Sequence, residues 1–300
     1  MLVMLALALC IFLSLSAPQF LTVRNGLNIL QAASIIAVLA AGAAFVIAAR
    51  GIDLSVGAVA SASVCIAVQV VGAAPALPGI SIVLSLVCGS LFGLFLGYLI
   101  GTLKVQPLIA TLAGMGIARG IALIVCNGRA QYGVEPLIVT LGQEQVLGIP
   151  LLVLCAGCIC AAVAYLFSHT VFGLRTRQLG DYPEAFAACG LSARGHLLSL
   201  YAGSGILAAA AGVLSAGRVN AADPAAGTLW ELSAITAAIL GGARLSGGRA
   251  SIVGAVGGGL FMALVQNGLN LHAVPGFYQH LVLGCVLIVS ALMQQRVAHA

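Results

Sequence analysis

Between Leu27 and Ala76 the chain carries only two charged side chains, Arg50 and Asp53, set close together in "VIAARGIDLSVGAVA" (46–60). An uncharged apolar run lies on each side of the pair. Each run supplies the about 20 residues that a membrane-spanning helix needs. A chain that repeats such runs from end to end has few folds open to it. In lipid its backbone must satisfy its own hydrogen bonds, which leaves helices or a closed barrel. A barrel reads as short alternating segments, and these runs are continuous.

Composition closes off the soluble alternative. Charged residues make up 6% of the 300 and hydrophobic residues 62%, against about 25% charged in a soluble domain. The mean hydropathy is +1.17. The expected fold class is an all-α polytopic membrane protein, with one transmembrane domain over residues 1–300 in contact with the lipid bilayer. Small residues let membrane helices approach closely, and "GSLFGLFLGYLIG" (89–101) and "GAVGGGLFMAL" (254–264) carry such faces. The net charge of +5 comes from basic residues scattered singly, so no nucleic-acid partner is expected. The nine cysteines lie mostly within apolar runs. Cys155 and Cys158 form a CxxC inside an expected helix with no histidine beside it, which reads as apolar packing. Neither a metal nor a cofactor is called for. The start, "MLVMLALALCIFLSLSAPQF", lacks the basic region of a signal peptide and reads as a first membrane helix. It begins almost inside the membrane, which leaves the true N-terminal start open.

Measured against the spanning length, the sequence offers about ten helices: roughly 1–17, 28–49, 54–73, 79–101, 105–126, 148–168, 197–216, 230–243, 251–271 and 277–293. Pro, Gly and Asn cluster in the breaks between them. With the N-terminus inside, the inner segments hold Arg50, Lys104, Arg175, Arg177, Arg194, Arg244, Arg249 and Arg296, and the outer ones Arg24, Arg129 and Arg218. That bias predicts both termini in the cytoplasm. The longest inner segment, 169–196, is also the most charged. Within it, "PEAFAACGL" (183–191) predicts a short helix, with Pro183 in its first turn and Gly190 at its end. It reads either as a contact for a cytoplasmic partner or as a plain surface loop.

The chemistry that is absent narrows the function. No phosphate-cradling GxxxxGK[ST] occurs, so the chain does not split ATP through such a loop. "LSGGR" (245–249) reads as a glycine turn between membrane helices. No HExxH and no GxSxG occurs. An ion-coupled carrier needs acids at mid-membrane, and Asp53 is the only acid near the inner half, with Glu231 at the start of the short segment 230–243. Arg119 falls roughly 10 Å below the outer interface, where it must pair, snorkel or line water. Gln266, Asn267 and Asn270 cluster toward the outer end of 251–271, with Gln266 and Asn270 on one face. These four could line a path for a neutral polar solute, or brace the helices by hydrogen bonds. Trp230 reads as an interfacial aromatic anchor or as a platform for a sugar.

Several motifs together resemble one family. "GIDLSVGAV" (51–59), "ATLAGMGIARGIALIVCNG" (110–128), "DPAAGTLWELSAITAAILGGARLSGGRASIVGAVGGG" (223–259), "NGLNL" and "FYQHLVLGCVLIV" (277–289) look like the ribose-type membrane permeases of ATP-binding cassette importers. The resemblance implies a transport subunit in the bacterial inner membrane with no ATPase site of its own. It implies a cytoplasmic ATP-binding cassette ATPase, a periplasmic or lipid-anchored sugar-binding protein, and a second permease subunit, identical or not. It implies that "GDYPEAFAACGL" (180–191) meets the ATPase, carried by Tyr182, Pro183, Glu184, Ala185, Gly190 and Leu191. Tyr182 and Ala187 depart from the Asn and the basic residue usual there, and Arg50 from the small residue usual before "GIDLS". The break itself would use Gly51 and Gly57 for the bend. Asp53 and Ser55 would cap the following helix, and Arg50 would pair with Asp53 or lipid phosphate. It reads either as a capped turn or as a joint that moves when ATP binds below. The implied cargo is a monosaccharide. The alternatives are nucleosides or branched-chain amino acids, and, from another class, an ion-coupled carrier.

Overall fold

The computed structural model describes residues 2–72 and 77–299. The expected break at 73–79 lies largely outside them, as does the Arg296 side chain. The helices are α1 (Leu2–Ser16), α2 (Val23–Ala48), α3 (Val56–Val71), α4 (Ile80–Gly101), α5 (Pro107–Val125), α6 (Pro136–Gln143) and α7 (Leu151–His169). There follow α8 (Val171–Asp181), α9 (Pro183–Ala188), α10 (Ala193–Val219), α11 (Trp230–Leu240), α12 (Ile252–Leu271) and α13 (Gly276–His299). Each apolar segment of the sequence reading is helical. α6 and α8 are additional, being too short or too polar for the apolar ruler. Among the described residues six helices, α2, α4, α5, α7, α10 and α12, are long and apolar enough to cross a membrane. α1, α3, α11 and the stretch Gly276–Leu292 of α13 are shorter apolar helices.

α2 is the central helix. In its most apolar window 83% of the residues are buried, against 28% in α5 and α7. Its second half, "AAGAAFVIA", is apolar on every side, as a helix enclosed by other helices must be. The outer helices turn Leu91, Ile109, Ile124 and Tyr165 outward, the surface that lipid covers.

Small residues set the helix spacing where the sequence placed them. Gly89, Gly93, Gly97 and Gly101 recur every fourth residue along one stripe of α4, and α10 lies against it antiparallel. A Cβ on Gly93 would stand 2.9 Å from Ala202 Cα, and one on Gly97 2.9 Å from Leu198 Cα. Backbone therefore touches backbone. On α12, Gly254 faces Gly241, Gly258 faces Ala237 of α11, and Gly259 faces Ala37 of α2.

The loops sort to two ends. At one end β1 (Gln131–Tyr132) pairs antiparallel with β4 (Ala221–Ala222), and β2 (Gln145–Val146) with β3 (Ile149–Pro150). Glu135, only 1% exposed, accepts from the amides of Gly79 and Ser81 there. It caps α4 from a distant segment, a carboxylate placed where a helix N-terminus favours one. The other end gathers the α2 terminus, α8, α9 and the glycine turn 241–250. Gly248 N–H donates to Ala48 O at 2.8 Å.

Candidate functional site

α3 and α11 are short because both begin inside the protein. The segment 49–55 enters from the Arg50 end. Asp53, 4% exposed, accepts from Ser204 Oγ at 2.8 Å. Ser204 lies about 11 residues into α10, roughly 16 Å from its start. The segment 223–229 enters from the Glu135 end. The two meet where Gly57 lies against Gly227, so closely that a Cβ on either would overlap the other's carbonyl. Non-helical backbone at this depth is tolerated only where protein or a cavity surrounds it. Interrupted helices that bring their N-termini to mid-membrane are a recurrent way to build a solute site there.

Each of the two N-termini at this depth has its own carboxylate. Asp53 Oδ1 accepts from Ser55 N–H at 3.0 Å and from Ser55 Oγ at 2.6 Å. The acid thus closes an Asx-type turn ahead of α3. Ser55 was expected to cap α3 with its side chain and does not: it makes no cap bond, because its hydroxyl is turned onto Asp53. Glu231 stands in the first turn of α11, 8% exposed. Its Oε2 has no hydrogen-bond partner among the described residues, and a Cβ on Gly57 would come within 2.6 Å of it. Both acids sit where the helix dipole favours negative charge. Gly51 gives room to Tyr201, whose hydroxyl would lie 2.7 Å from a Cβ there. Thr111 of α5 donates to Ile52 O at 3.0 Å.

Arg50 does not pair with Asp53. Its Nε donates to Ser246 O at 2.8 Å and its Nη2 to Asp181 O at 3.1 Å. Asp53 is turned inward to α10, while the arginine stays at the exposed edge, so the two side chains part.

Arg119 reaches the incoming segment 223–229. Its Nη1 donates to Pro224 O at 2.6 Å, Ala226 O at 2.7 Å and Ser61 Oγ at 3.3 Å. A cavity of about 20 Å³, bounded by Ser61, Ser215, Asp223 and Trp230 among others, adjoins it; that is room for about one water. The structure does not bring the three amides to this place together. Asn267 and Asn25 exchange amide bonds at 2.7 and 3.1 Å. Gln266 donates to Ser233 Oγ at 3.4 Å, and Asn270 accepts from Gln279 at 2.9 Å. They join α12 to α2, α11 and α13.

At the Arg50 end, α9 forms with Pro183 in its first turn and Gly190 at φ +73° just past it. Phe186 is its one buried side chain, packed 6.1 Å from the His196 ring. A hollow of about 340 Å³ lined by Phe172, Arg175, Phe186, Leu191 and His196 opens beside it. Tyr182, Pro183, Glu184, Ala185 and Gly190 are exposed, and Leu191 is half-buried. Sequence reasoning passed over Ser204 and Tyr201, and did not single out Phe186 within 180–191. Ser204 carries no local signal, whereas Phe186, the one large apolar side chain in a short helix of small residues, does.

The protein is thus a multi-pass α-helical membrane protein built around two interrupted helices. The chain belongs to the family described as the permease component of the branched-chain amino acid transport system, whose model matches residues 25–291. It is 34% identical to the ribose import permease protein of Escherichia coli strain K12, over 97% of this chain and 91% of that one. It is 36% identical to the ribose import permease protein of Bacillus subtilis strain 168, over 96% and 90%. It is 34% identical to an L-arabinose ABC transporter permease protein of Azospirillum brasilense, over 98% and 86%. No solved structure matches it significantly.

Proposed function

We propose that this chain is the membrane permease of an ATP-binding cassette importer that moves a monosaccharide inward across the bacterial inner membrane. The observation that carries this reading is the near full-length similarity to permeases named for ribose and arabinose, joined by one named for D-allose at 32% identity. The family's description names branched-chain amino acids, yet these relatives are named for sugars. The partners are a cytoplasmic ATPase, a sugar-binding protein outside, and a second permease subunit. The single domain spans residues 1–300, crosses about ten times and keeps both ends in the cytoplasm; the charge bias supports this orientation. The ATPase meets the loop 169–196 through Tyr182, Pro183, Glu184, Ala185, Gly190 and Leu191. In support, a helix that buries a single side chain leaves nearly all its surface for a partner.

The sugar path runs past the crossing of the two interrupted segments. Arg119, Glu231 and the edge of Trp230 supply there the donors, acceptors and apolar face that a polyol needs. Asn267, Asn270 and Gln266 are engaged between helices and act on the path by bracing it. The break at Gly51, Asp53, Ser55 and Gly57 is the joint between path and ATPase. The test is reconstitution in liposomes with the candidate ATPase and binding protein, following labelled ribose, xylose, arabinose and galactose, with ATP and with a non-hydrolysable analogue. Uptake of one sugar that requires both partners and hydrolysis is expected. Movement by the permease alone, driven by a proton or sodium gradient, would overturn the reading.

A further inference from the structure

The helix-break motif has an exposed neighbour with an unusual backbone. Arg50 follows the last residue cap of α2 and adopts φ +63°, the left-handed conformation that strains an L-residue and that glycine adopts freely. Its N–H donates to Ile47 O and that of Gly51 to Val46 O, both at 2.9 Å. This is the Schellman closure, in which glycine is the usual occupant of the position Arg50 holds. Those bonds are made by backbone alone, so glycine would make them equally well and without strain. What an arginine adds here is its side chain.

That side chain spans two other segments. It donates to Ser246 O in the glycine turn and to Asp181 O at the end of α8, two residues ahead of α9. The three segments are already in backbone contact. Gly248 N–H reaches Ala48 O, a Cβ on Gly180 would overlap that same carbonyl, and one on Gly247 would stand 2.9 Å from Gly180 O. The backbone contact sets their distance, and the guanidinium holds their relative angle. Its diverging donors suit two carbonyls on separate segments, which a single ammonium cannot reach in the same way.

We propose that Arg50 is a positioning residue for energy coupling: a strap that makes the α8–α9 corner, the glycine turn and the helix break move as one. This rests on the reading of 180–191 as the segment that meets the ATPase. The first test needs no ATPase. In the full chain in nanodiscs, Arg50→Gly should speed amide hydrogen exchange across 184–191 about fivefold, the loss of roughly one net hydrogen bond. The thermal midpoint should hold or rise, because backbone strain is relieved. Arg50→Lys should restore part of the protection. In proteoliposomes with the candidate ATPase and binding protein, Arg50→Gly should lower sugar moved per ATP by about fivefold while hydrolysis continues.

Unchanged exchange in Arg50→Gly overturns the strap. Faster exchange with unchanged sugar per ATP overturns its part in coupling. A Glu184→Arg variant separates that failure from failure of the underlying reading. If ATPase association survives this charge reversal on α9, the segment is not the contact, and the proposal falls with it.

Discussion

Removing the Asp53 carboxylate tests the helix break most directly. In Asp53→Ala three hydrogen bonds go: those from Ser55 N–H, Ser55 Oγ and Ser204 Oγ. The Ser204 hydroxyl lies within α10 and can turn back to a carbonyl of the preceding turn, which recovers most of its loss. The Ser55 amide cannot turn, and a buried donor left without a partner costs about 1–3 kcal/mol. The Ser55 hydroxyl adds about 1 kcal/mol. Against these about 2–4 kcal/mol stands the relief of no longer burying a charge, so the net expectation is lower, about 1–3 kcal/mol. For a chain this long that lowers the melting midpoint by roughly 3–9 °C. Asp53→Asn keeps the oxygen that faces Ser55, and the Ser204 hydroxyl can accept from the new amide, so its cost should stay within about 1 kcal/mol. The assay is thermal unfolding in nanodiscs at a fixed scan rate, followed by the fluorescence of Trp230, the only tryptophan, which opens α11 beside the crossing. An alanine variant that melts with the wild type would refute the reasoning. So would an asparagine variant as damaged as alanine, since charge rather than bond geometry would then hold the turn.

Other sites give sharper contrasts. Gly93→Ala should destabilise by about 1–3 kcal/mol by forcing α4 off α10, while Gly116→Ala, with nothing within 4 Å of its Cβ, should not; paired melting curves decide. Glu135→Ala should lose about 1–2 kcal/mol by uncapping α4, readable as faster hydrogen exchange over 80–84. Arg119→Ala should cut sugar uptake about tenfold or more by freeing the segment 223–229, with Arg119→Lys intermediate because lysine offers a single point donor; equal uptake in all three would exclude the arginine from the path. Glu184→Arg should weaken pull-down of the ATPase at least tenfold with the melting midpoint unchanged, because Glu184 is exposed.

Much of this architecture is legible because lipid imposes a simple rule. Apolar length marks helices, so α2, α4, α5, α7, α10 and α12 stand where the sequence places them. The glycine stripes at 89–101 and 254–264 can be read as packing faces, since small residues at helical spacing have little other use. Partners are another matter. Ser204 lies 151 residues from Asp53, and nothing local in "YAGSGIL" distinguishes its hydroxyl from one that bonds its own helix. The nearest opposite charge made Asp53 the natural guess for Arg50, but burial separated them: the acid could enter the core because hydroxyls and an amide receive it there. The short length of α11 was visible in the sequence, whereas the α3 segment was read at full spanning length, 54–73, and the helix covers only Val56–Val71. That both helices start at depth required seeing Gly57 against Gly227.

The break is held by two ties of different kinds, and the difference bears on what can move. Asp53 grips Ser204 in the buried interior, where a hydrogen bond is stronger. Arg50 grips Ser246 and Asp181 at an exposed edge, where water substitutes at little cost. Force applied to α9 therefore meets its weaker resistance at the edge, while the inner tie binds the break to α10 as one body. α10 begins just beyond α9, its first turn capped by Ser192 at 3.2 Å from Gly195 N. A displacement of α9 thus reaches the crossing at Gly57 and Gly227 along two routes, through α10 and through the Arg50 strap. If Asp53→Ala and Arg50→Gly act on one mechanical path, their combined loss of sugar moved per ATP should be less than the product of the separate losses. A full product would mean that the two ties serve independent motions.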